Sequence, residues 1–232
     1  MSLCGTLEPL EWESEFFGLC TAKLHIDPAA VAVTEPAFAA YARVQVKVNA
    51  DDTQILDTLQ ARGFQLVEGE IDLCITPGGT TPSPVDVKTA TGSDISAISA
   101  AAGAAFRLSR FRTPWYQPQD SERFYARWAE KAVLGTFDHL CLLMKSSSGE
   151  TQGFVTLRQT AQGAARIGLL AVLPEWQGHG VGKQLMTAAK QWCVANSVSR
   201  LYVATQTSNL AALNLYIASG GKISRSAYWL YR

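Results

Sequence analysis

The segment PEWQGHGVGKQLMTAAKQWC, residues 174–193, decides the fold of this 232-residue chain. From about Gly180 to Asn196 its apolar residues recur on one face of a helix, which predicts an amphipathic α-helix. The residues at its start supply no carboxylate and no preferred capping side chain other than glycine. Its first amides and the positive end of its dipole therefore lack an internal anion, and a phosphate or pyrophosphate from outside would satisfy both.

The spacing of the glycines in this segment can be compared with two other phosphate-binding motifs. A P-loop is excluded, because Lys183 is followed by Gln184 rather than Ser or Thr, and Gln177 occupies the place of the earlier glycine. A dinucleotide fingerprint is excluded because no third glycine follows at the required distance, and the next strand ends without an acidic residue. A glycine-rich turn capped by water stays open as the alternative.

The elements around this helix predict an α/β fold with a mixed central sheet flanked by helices. Before it come a helix starting near Asp94, the helix ERFYARWAEKAV, the strand HLCLLMK, and a hairpin of GFVTLRQ and ARIGLLAV. After it come the strand LYVATQ, a helix from about Asn209 to Ser219, and a strand around AYWLYR. Strands and helices in this order are typical of an α/β arrangement.

A cluster of proline, glycine and hydroxyl residues, TPGGTTPSP at 76–84, predicts a linker. We therefore divide the chain into a smaller N-terminal α/β domain (1–76), a linker (77–84) and the main domain (85–232). In the first part, TAKLHI and RVQVKV alternate as strands, and a helix over 52–62 precedes the strand FQLVEGEIDLCI. DTLQARGFQLVEGEIDL and LNLYIASGGKISRSAYWL share one pattern of helix, glycine turn and strand, which suggests that the N-terminal part is a degenerate copy of half of the main domain.

The composition excludes several classes of protein. The 20 basic and 20 acidic residues balance, so the chain lacks the global field that gathers nucleic acid or coats a membrane. No secretory leader or membrane-spanning run is visible. Five cysteines without a CxxC indicate reduced thiols in a cytoplasmic protein. The three histidines share no metal-ligand spacing, so we expect no metal site.

The six residues from Gln177 to Gly182 resemble the (Arg/Gln)-x-x-Gly-x-(Gly/Ala) motif of the GNAT superfamily of N-acetyltransferases. The resemblance implies acetyl-CoA as co-substrate, with its pyrophosphate at the helix start and its pantetheine arm along the backbone of the preceding strand. The matching residues at the helix start are Gln177, Gly178, His179, Gly180, Val181 and Gly182, with Lys183 adding charge. The matching strand residues are Leu170, Ala171 and Val172.

A second element of the same family lies in NLAALNLYIASGG. Asn209 and Tyr216 are seven residues apart, so they share a helix face. The resemblance implies that Asn209 lies beside the cofactor and Tyr216 near the thioester sulfur. Leu215 departs from the basic or polar residue expected before the tyrosine. The alternative is that Tyr216 is a core aromatic beside Leu213 and Ile217.

Longer stretches resemble the members of the family that acetylate nucleotide sugars in enterobacterial common antigen biosynthesis. These stretches are SRFRTPWY, FYARW, GTFDH, ARIGLLA, VEGEIDL and AYWLYR. The resemblance implies transfer of acetyl to the 4-amino group of TDP-4-amino-4,6-dideoxy-D-galactose by a cytoplasmic homodimer.

Acetyl transfer needs a proton donor for the leaving thiolate, a hydrogen-bond donor for the carbonyl oxygen and a base for the amine. Tyr216 stays protonated at neutral pH and can donate to the leaving thiolate, while the backbone N–H of Ala171 can serve the carbonyl oxygen. Glu68 is our candidate base, because Glu68, Glu70 and Asp72 alternate along one strand face. Both parts of the chain would then build the active site. The alternative is a solvated strand face, and a covalent cysteine route is disfavoured because no cysteine lies near a histidine in sequence.

The loop FRLSRFRTPWY is our candidate site for the nucleotide. Arginines bind phosphates bidentately and aromatic rings stack on bases. The candidates are Arg110, Arg112, Trp115 and Tyr116, with Arg107 in the same loop. The alternative is a surface loop anchored by its aromatic residues.

Three competing functions stay open. The chain could be a GNAT enzyme for another amine, such as a protein N-terminus, an antibiotic or a polyamine, although the neutral charge balance argues against a polyamine. A non-catalytic acetyl-CoA sensor is the second, and another kind of nucleotide phosphate-binding protein is the third.

Overall fold

The computed structural model describes residues 2–78, 85–106, 108–160 and 163–232. It divides into an N-terminal unit, made of Met1–Ile71, Gln206–Ser208 and Arg225–Arg232, and a C-terminal unit, made of Asp72–Thr205 and Asn209–Ser224. Most of the linker predicted at 77–84 lies outside the described residues, so the three-part domain division stays a prediction. Three strands, Gln65–Ile75, Arg200–Gln206 and Gly221–Tyr231, contribute residues to both units.

In the described residues up to 78 there are four strands and three α-helices. They are β1 (Gly5–Pro9), α1 (Glu11–Phe17), β2 (Thr21–Ile26), α2 (Glu35–Ala39), β3 (Arg43–Asn49), α3 (Thr53–Ala61) and β4 (Gln65–Ile75). The described residues from 85 onward contain six strands and four α-helices. They are β5 (Lys88–Thr89), α4 (Ile95–Ala105), α5 (Asp120–Val133), β6 (Leu140–Lys145), β7 (Thr151–Thr160), β8 (Ala164–Val172), α6 (Val181–Ala195), β9 (Arg200–Gln206), α7 (Leu210–Ala218) and β10 (Gly221–Tyr231).

In the N-terminal unit, β2 pairs antiparallel with β1 and parallel with β3, and β3 pairs antiparallel with the end of β10. The alternating apolar residues of β3 lie on the core face of this mixed sheet. Asp52 caps α3, because its Oδ1 accepts the amide of Ile55 at 3.1 Å. The core consists of Leu3, Leu24, Val33, Phe38, Val44, Val46, Val48, Ile55, Leu59, Phe64 and Leu230.

In the C-terminal unit, β5, β6, β7 and β8 pair antiparallel in that order, and β9 pairs parallel with β8. The mixed sheet predicted from the sequence is therefore confirmed. Strand β8 buries every second residue, which is the alternation that ARIGLLAV predicts. Asp94 is the N-cap residue of α4, but its side chain makes no capping hydrogen bond: its carboxylate accepts the amide of Thr91 at 2.9 Å and binds the ammonium of Lys145.

Residues 5–75 and 151–231 share a similar order of elements, apart from α1, which lies between β1 and β2 and has no counterpart between β7 and β8. An antiparallel pair (β1–β2) is followed by a parallel connection through α2 to β3, then by α3 and β4. The later of the two ranges runs through the antiparallel pair β7–β8, a parallel connection through α6 to β9, then α7 and β10. This agreement extends the repeat noted in the sequence and supports a degenerate duplication.

Candidate active site

Strands β8 and β9 separate at the end that the helix α6 follows. Their parallel pairing covers Ala164 to Arg166 and ends, within the described residues, at the pair of Arg166 with Tyr202. Strand β8 nevertheless continues to Val172. Its last six residues therefore carry backbone groups that β9 does not bind. Leu170, Ala171 and Val172, which we predicted to face the pantetheine arm, lie in this stretch.

The start of α6 has the geometry that the sequence argument requires. Gly180 occupies the N-cap position in the left-handed conformation, with φ of 81°. No described side chain caps this helix, and its first turn contains no acidic residue. A Cβ atom on Gly178 or Gly180 would meet nothing within 4 Å, so the space in front of these amides is open. The first amides and the helix dipole thus fit an external diphosphate.

The loop between β8 and α6 is fixed by its own polar groups. The Nε2 atom of Gln177 donates to the carbonyl of Val172 at 3.3 Å, and Nδ1 of His179 lies 2.9 Å from the carbonyl of Gln177. Gln177, His179 and Lys183 are exposed. Sequence reasoning did not predict the bond from Gln177 to Val172, which ties the glycine-rich loop to the last residue of β8.

Asn209 and Tyr216 begin and nearly end α7. Asn209 is the N-cap of α7, and its Oδ1 accepts the amide of Ala212 at 3.2 Å. Tyr216 is 5% exposed, and its burial raises the pKa of the phenol above the ordinary value near 10. The phenol is therefore neutral throughout the physiological range, as the sequence argument requires of a proton donor.

The candidate nucleotide loop rests on a cluster of aromatic side chains in the C-terminal unit. The members of this aromatic cluster are Phe106, Phe111, Tyr116, Phe124, Tyr125, Trp128 and Phe137. The guanidinium of Arg110 lies over the ring of Phe111, at 4.2 Å from its centroid. Arg112 is exposed and donates to the carbonyl of Thr113 at 2.9 Å, and Trp115 is half-buried.

Tyr116 differs from the other candidates in this loop. Its ring packs edge-on against Phe111 and is 6% exposed. This burial fits a residue that supports the loop better than one that stacks on a base. Arg107, which the sequence also placed in this loop, lies outside the described residues.

The three carboxylates predicted on one face lie on β4, and all are half-buried. Glu70 is bound on two sides within the N-terminal unit. The ammonium of Lys47 contacts its Oε1, and Nε1 of Trp229 donates to its Oε2 at 2.9 Å. Lys47 was not singled out from the sequence, yet its ammonium neutralises the charge of Glu70. Glu70 is therefore poorly suited to act as a base.

Two buried cysteines are poor nucleophiles at neutral pH. Burial, with the negative charges of Asp138 and Asp94, raises the pKa of Cys141 to about 12. Burial alone raises the pKa of Cys193 to about 11. Because the thiolate is the reactive form, these values argue against a covalent route through either residue. All five cysteines are free thiols.

Within the described residues, no group of three or more His, Cys, Asp or Glu side chains could hold a metal ion. Likewise, none of the helices in the described ranges is both long and apolar enough to cross a membrane.

Residues 105–220 match the profile of the Acetyltransferase (GNAT) family. The whole chain is 47% identical over 232 residues to the dTDP-fucosamine acetyltransferase of Escherichia coli O6:H1, and the alignment covers 100% of both proteins. It is 28% identical over 153 residues to the mycothiol acetyltransferase of Tsukamurella paurometabola, covering 63% of this chain and 51% of that protein. Among solved structures, a GCN5-related N-acetyltransferase from Kribbella flavida superimposes with a TM-score of 0.65 at 18% identity, covering 99% of this chain and 87% of that one.

Proposed function

The chain belongs to the GNAT family of acetyltransferases, and from that premise we propose that it transfers acetyl from acetyl-CoA to the 4-amino group of a nucleotide sugar, TDP-4-amino-4,6-dideoxy-D-galactose. The observation that carries the choice of acceptor is the 47% identity, over the full length of both chains, to a dTDP-fucosamine acetyltransferase. The mycothiol acetyltransferase aligns with this chain over only 51% of its own length, so it does not help to identify the acceptor.

The donor would occupy the opening between β8 and β9 and the start of α6. We assign the pyrophosphate to the amides of the loop from Gln177 to Gly182, with Lys183 supplying positive charge. The pantetheine arm would bind the backbone of Leu170, Ala171 and Val172. Asn209 would lie beside the cofactor while it caps α7.

The chemistry follows from the charges that the reaction creates and removes. Glu68 would first accept, through water, a proton from the substrate ammonium, and the neutral amine would then attack the thioester carbonyl. The backbone N–H of Ala171 would stabilise the oxyanion, and the neutral phenol of Tyr216 would donate its proton to the departing sulfur as the carbon–sulfur bond breaks. The proton that the new amide nitrogen loses would restore the phenol of Tyr216. For the nucleotide we propose Arg110, Arg112 and Trp115, with Tyr116 supporting their loop.

A product assay tests the proposed acceptor. We expect purified protein with acetyl-CoA and the TDP-amino sugar to release coenzyme A and to give an N-acetylated nucleotide sugar, detected by mass spectrometry. Peptide N-termini and polyamines serve as competing acceptors, and their preferred acetylation would contradict the proposal. Thermal shifts separate the other two alternatives: saturating acetyl-CoA, but not ATP, should stabilise the protein, by about 2.7 kcal/mol at 100 times its dissociation constant. Acetyl-CoA binding without turnover on any acceptor would indicate a sensor.

The setting of the enzyme is part of the same proposal. We propose a cytoplasmic homodimer whose product serves enterobacterial common antigen biosynthesis. Light scattering coupled to size-exclusion chromatography measures the oligomeric state, and a mass of one chain at micromolar concentration would contradict the dimer. Fractionation of cells that produce the protein tests its location.

A further inference from the structure

Strand β8 contains a β-bulge immediately before its candidate cofactor residues. Val155 of β7 pairs with Leu170, and Leu157 pairs with Ile167, so Thr156 lies opposite two residues of β8, Gly168 and Leu169. A bulge leaves one residue without a ladder partner and changes which peptide groups point to each side after it. The bulge therefore sets the direction of the backbone groups that follow it, at 170–172.

A chain of hydrogen bonds from the side chains of Thr156 and Asp138 occupies this bulge. The amide of Leu169 donates to Oγ1 of Thr156 at 2.8 Å, which donates to Oδ2 of Asp138 at 2.6 Å. Nε1 of Trp128 donates to the same Oδ2 at 2.8 Å. Because a peptide N–H and an indole N–H can only donate, the direction of each bond is fixed, and Oδ2 must accept two of them.

The network is buried, and it requires glycine beside it. Asp138 is 1% exposed and Thr156 is fully buried. A Cβ atom on Gly168 would lie 2.1 Å from Oδ2 of Asp138, so any side chain there would displace the carboxylate. A buried carboxylate without partners is strongly destabilising, and these donors are its compensation.

The same carboxylate also connects to the aromatic cluster. The ring of Trp128 packs edge-on against Phe124 and Phe137. Phe124 in turn contacts Phe111, over which Arg110 lies. Asp138 thus binds both the cluster under the candidate nucleotide loop and, through Thr156, the bulge of β8.

We propose that Asp138 is a positioning residue for β8, the strand whose backbone would bind the pantetheine arm. Through Thr156 it holds the bulge of β8, and so it fixes the peptide groups of Leu170, Ala171 and Val172 toward the pantetheine arm and the thioester. This inference rests on the proposed use of acetyl-CoA as the donor, and the identity of the acceptor does not enter it.

Two substitutions at Thr156 test the proposal. T156V keeps the shape of the side chain but leaves the amide of Leu169 without its acceptor, whereas T156S keeps the hydroxyl. We expect T156V to weaken coenzyme A binding, measured by isothermal titration calorimetry, by about tenfold or more, and T156S to stay within about twofold of the wild type. In steady-state assays, the KM for acetyl-CoA should rise in T156V, while the KM for the amine acceptor stays unchanged.

D138N and D120N complete the design. D138N keeps the side-chain shape without the charge, should weaken coenzyme A binding by about threefold or more, and decides the question if T156V does not fold. Asp120 is the matched control, because it is 3% exposed and binds the amide of Gln117 and the guanidinium of Arg123, away from β8. D120N should lower the Tm without changing coenzyme A binding.

If the folded T156V and D138N variants bind coenzyme A within twofold of the wild type and lose only stability, as D120N does, the proposal is overturned. Because the readout is binding of coenzyme A alone, it is independent of the acceptor. A wild-type protein that binds coenzyme A but acetylates no nucleotide sugar would contradict the proposed function and not this inference.

Discussion

The Cδ2 atom of Leu215 lies 3.1 Å from the position that a Cβ atom would occupy on Gly182, the second residue of α6. This contact joins α7 to the first turn of the helix that faces the candidate diphosphate site. It also gives a physical reason for the leucine at a position where the family resemblance led us to expect a basic or polar residue. An apolar side chain fills the space beside a residue that has no side chain of its own.

The two glycines at the start of α6 should respond differently to alanine. In G182A the new methyl meets the flexible end of Leu215, and alanine favours the helix by about 1 kcal/mol, so we expect coenzyme A binding within about threefold of the wild type. In G180A the left-handed backbone, with φ of 81°, costs about 1–2 kcal/mol and turns the N-cap peptide away. Titration calorimetry should then show binding at least about tenfold weaker.

G63A is the control for backbone strain. Gly63 has φ of 80° and equally open space around its Cβ position, but it lies in the N-terminal unit. It should lose similar stability to G180A in chemical unfolding and keep its affinity for coenzyme A. If G180A bound coenzyme A as tightly as the wild type, the start of α6 would not be part of the cofactor site.

Tyr216 should contribute to turnover and not to cofactor affinity. We expect Y216F to lower kcat by about 10²–10³-fold, because the departing thiolate loses its proton donor, with the dissociation constant of coenzyme A unchanged. Y202F, in a half-buried tyrosine of β9, is the matched control and should keep wild-type kcat. A Y216F variant with full activity would show that the residue is a core aromatic only.

Local patterns were enough to predict the cofactor side of the fold. The alternation in ARIGLLAV and the helical spacing after Gly180 correspond to β8 and α6 within a residue or two. The missing cap at α6 could be read from the sequence because capping depends on a few neighbouring residues. The same holds for Asn209, whose position before α7 is visible in the sequence.

The features that the sequence did not reveal depend on residues far apart in the chain. Asp138 reaches the bulge of β8 through Thr156, 18 positions away, and a one-residue bulge has no periodic signature. Lys47 on β3 and Glu70 on β4 form an ion pair, although they are 23 positions apart in the sequence. Tyr116 was a candidate for base stacking because its loop contains arginines, whereas its packing against Phe111 is a tertiary contact.

Substitutions at two carboxylates of β4, Glu68 and Glu70, should have different effects, one on catalysis and the other on stability. E68Q should lower kcat by about 10²-fold or more, if Glu68 is the base. E70Q should remove the ion pair between the half-buried side chains of Lys47 and Glu70 and lower the free energy of unfolding by about 1–3 kcal/mol, measured by urea unfolding. The K47M/E70L double variant should recover part of that loss. Greater loss of kcat in E70Q than in E68Q would reverse our assignment.

The arginine loop should determine affinity for the nucleotide sugar. R112A should raise the KM for the nucleotide sugar by about tenfold, because a guanidinium–phosphate contact is lost, and leave the KM for acetyl-CoA unchanged. R123A is the control, since the Arg123 side chain is 59% exposed and pairs with Asp120 on α5. Equal KM values in R112A and R123A would make the loop a surface element.

Burial of Tyr216 also predicts how stability depends on pH. Its folded-state pKa is raised above the unfolded value near 10, so below pH 10 both states hold the proton and the group adds no slope. Above pH 10 the unfolded chain releases this proton while the folded chain keeps it, so stability falls as pH rises toward the folded pKa. The free energy of unfolding of the wild type, relative to Y216F, should therefore be constant from pH 7 to 9 and decrease above pH 10 by about 1.4 kcal/mol per pH unit. Urea unfolding of both proteins at a series of pH values measures this difference, in which the contributions of the other titrating groups cancel. If the difference stayed constant up to pH 11, Tyr216 would be less buried than its 5% exposure indicates.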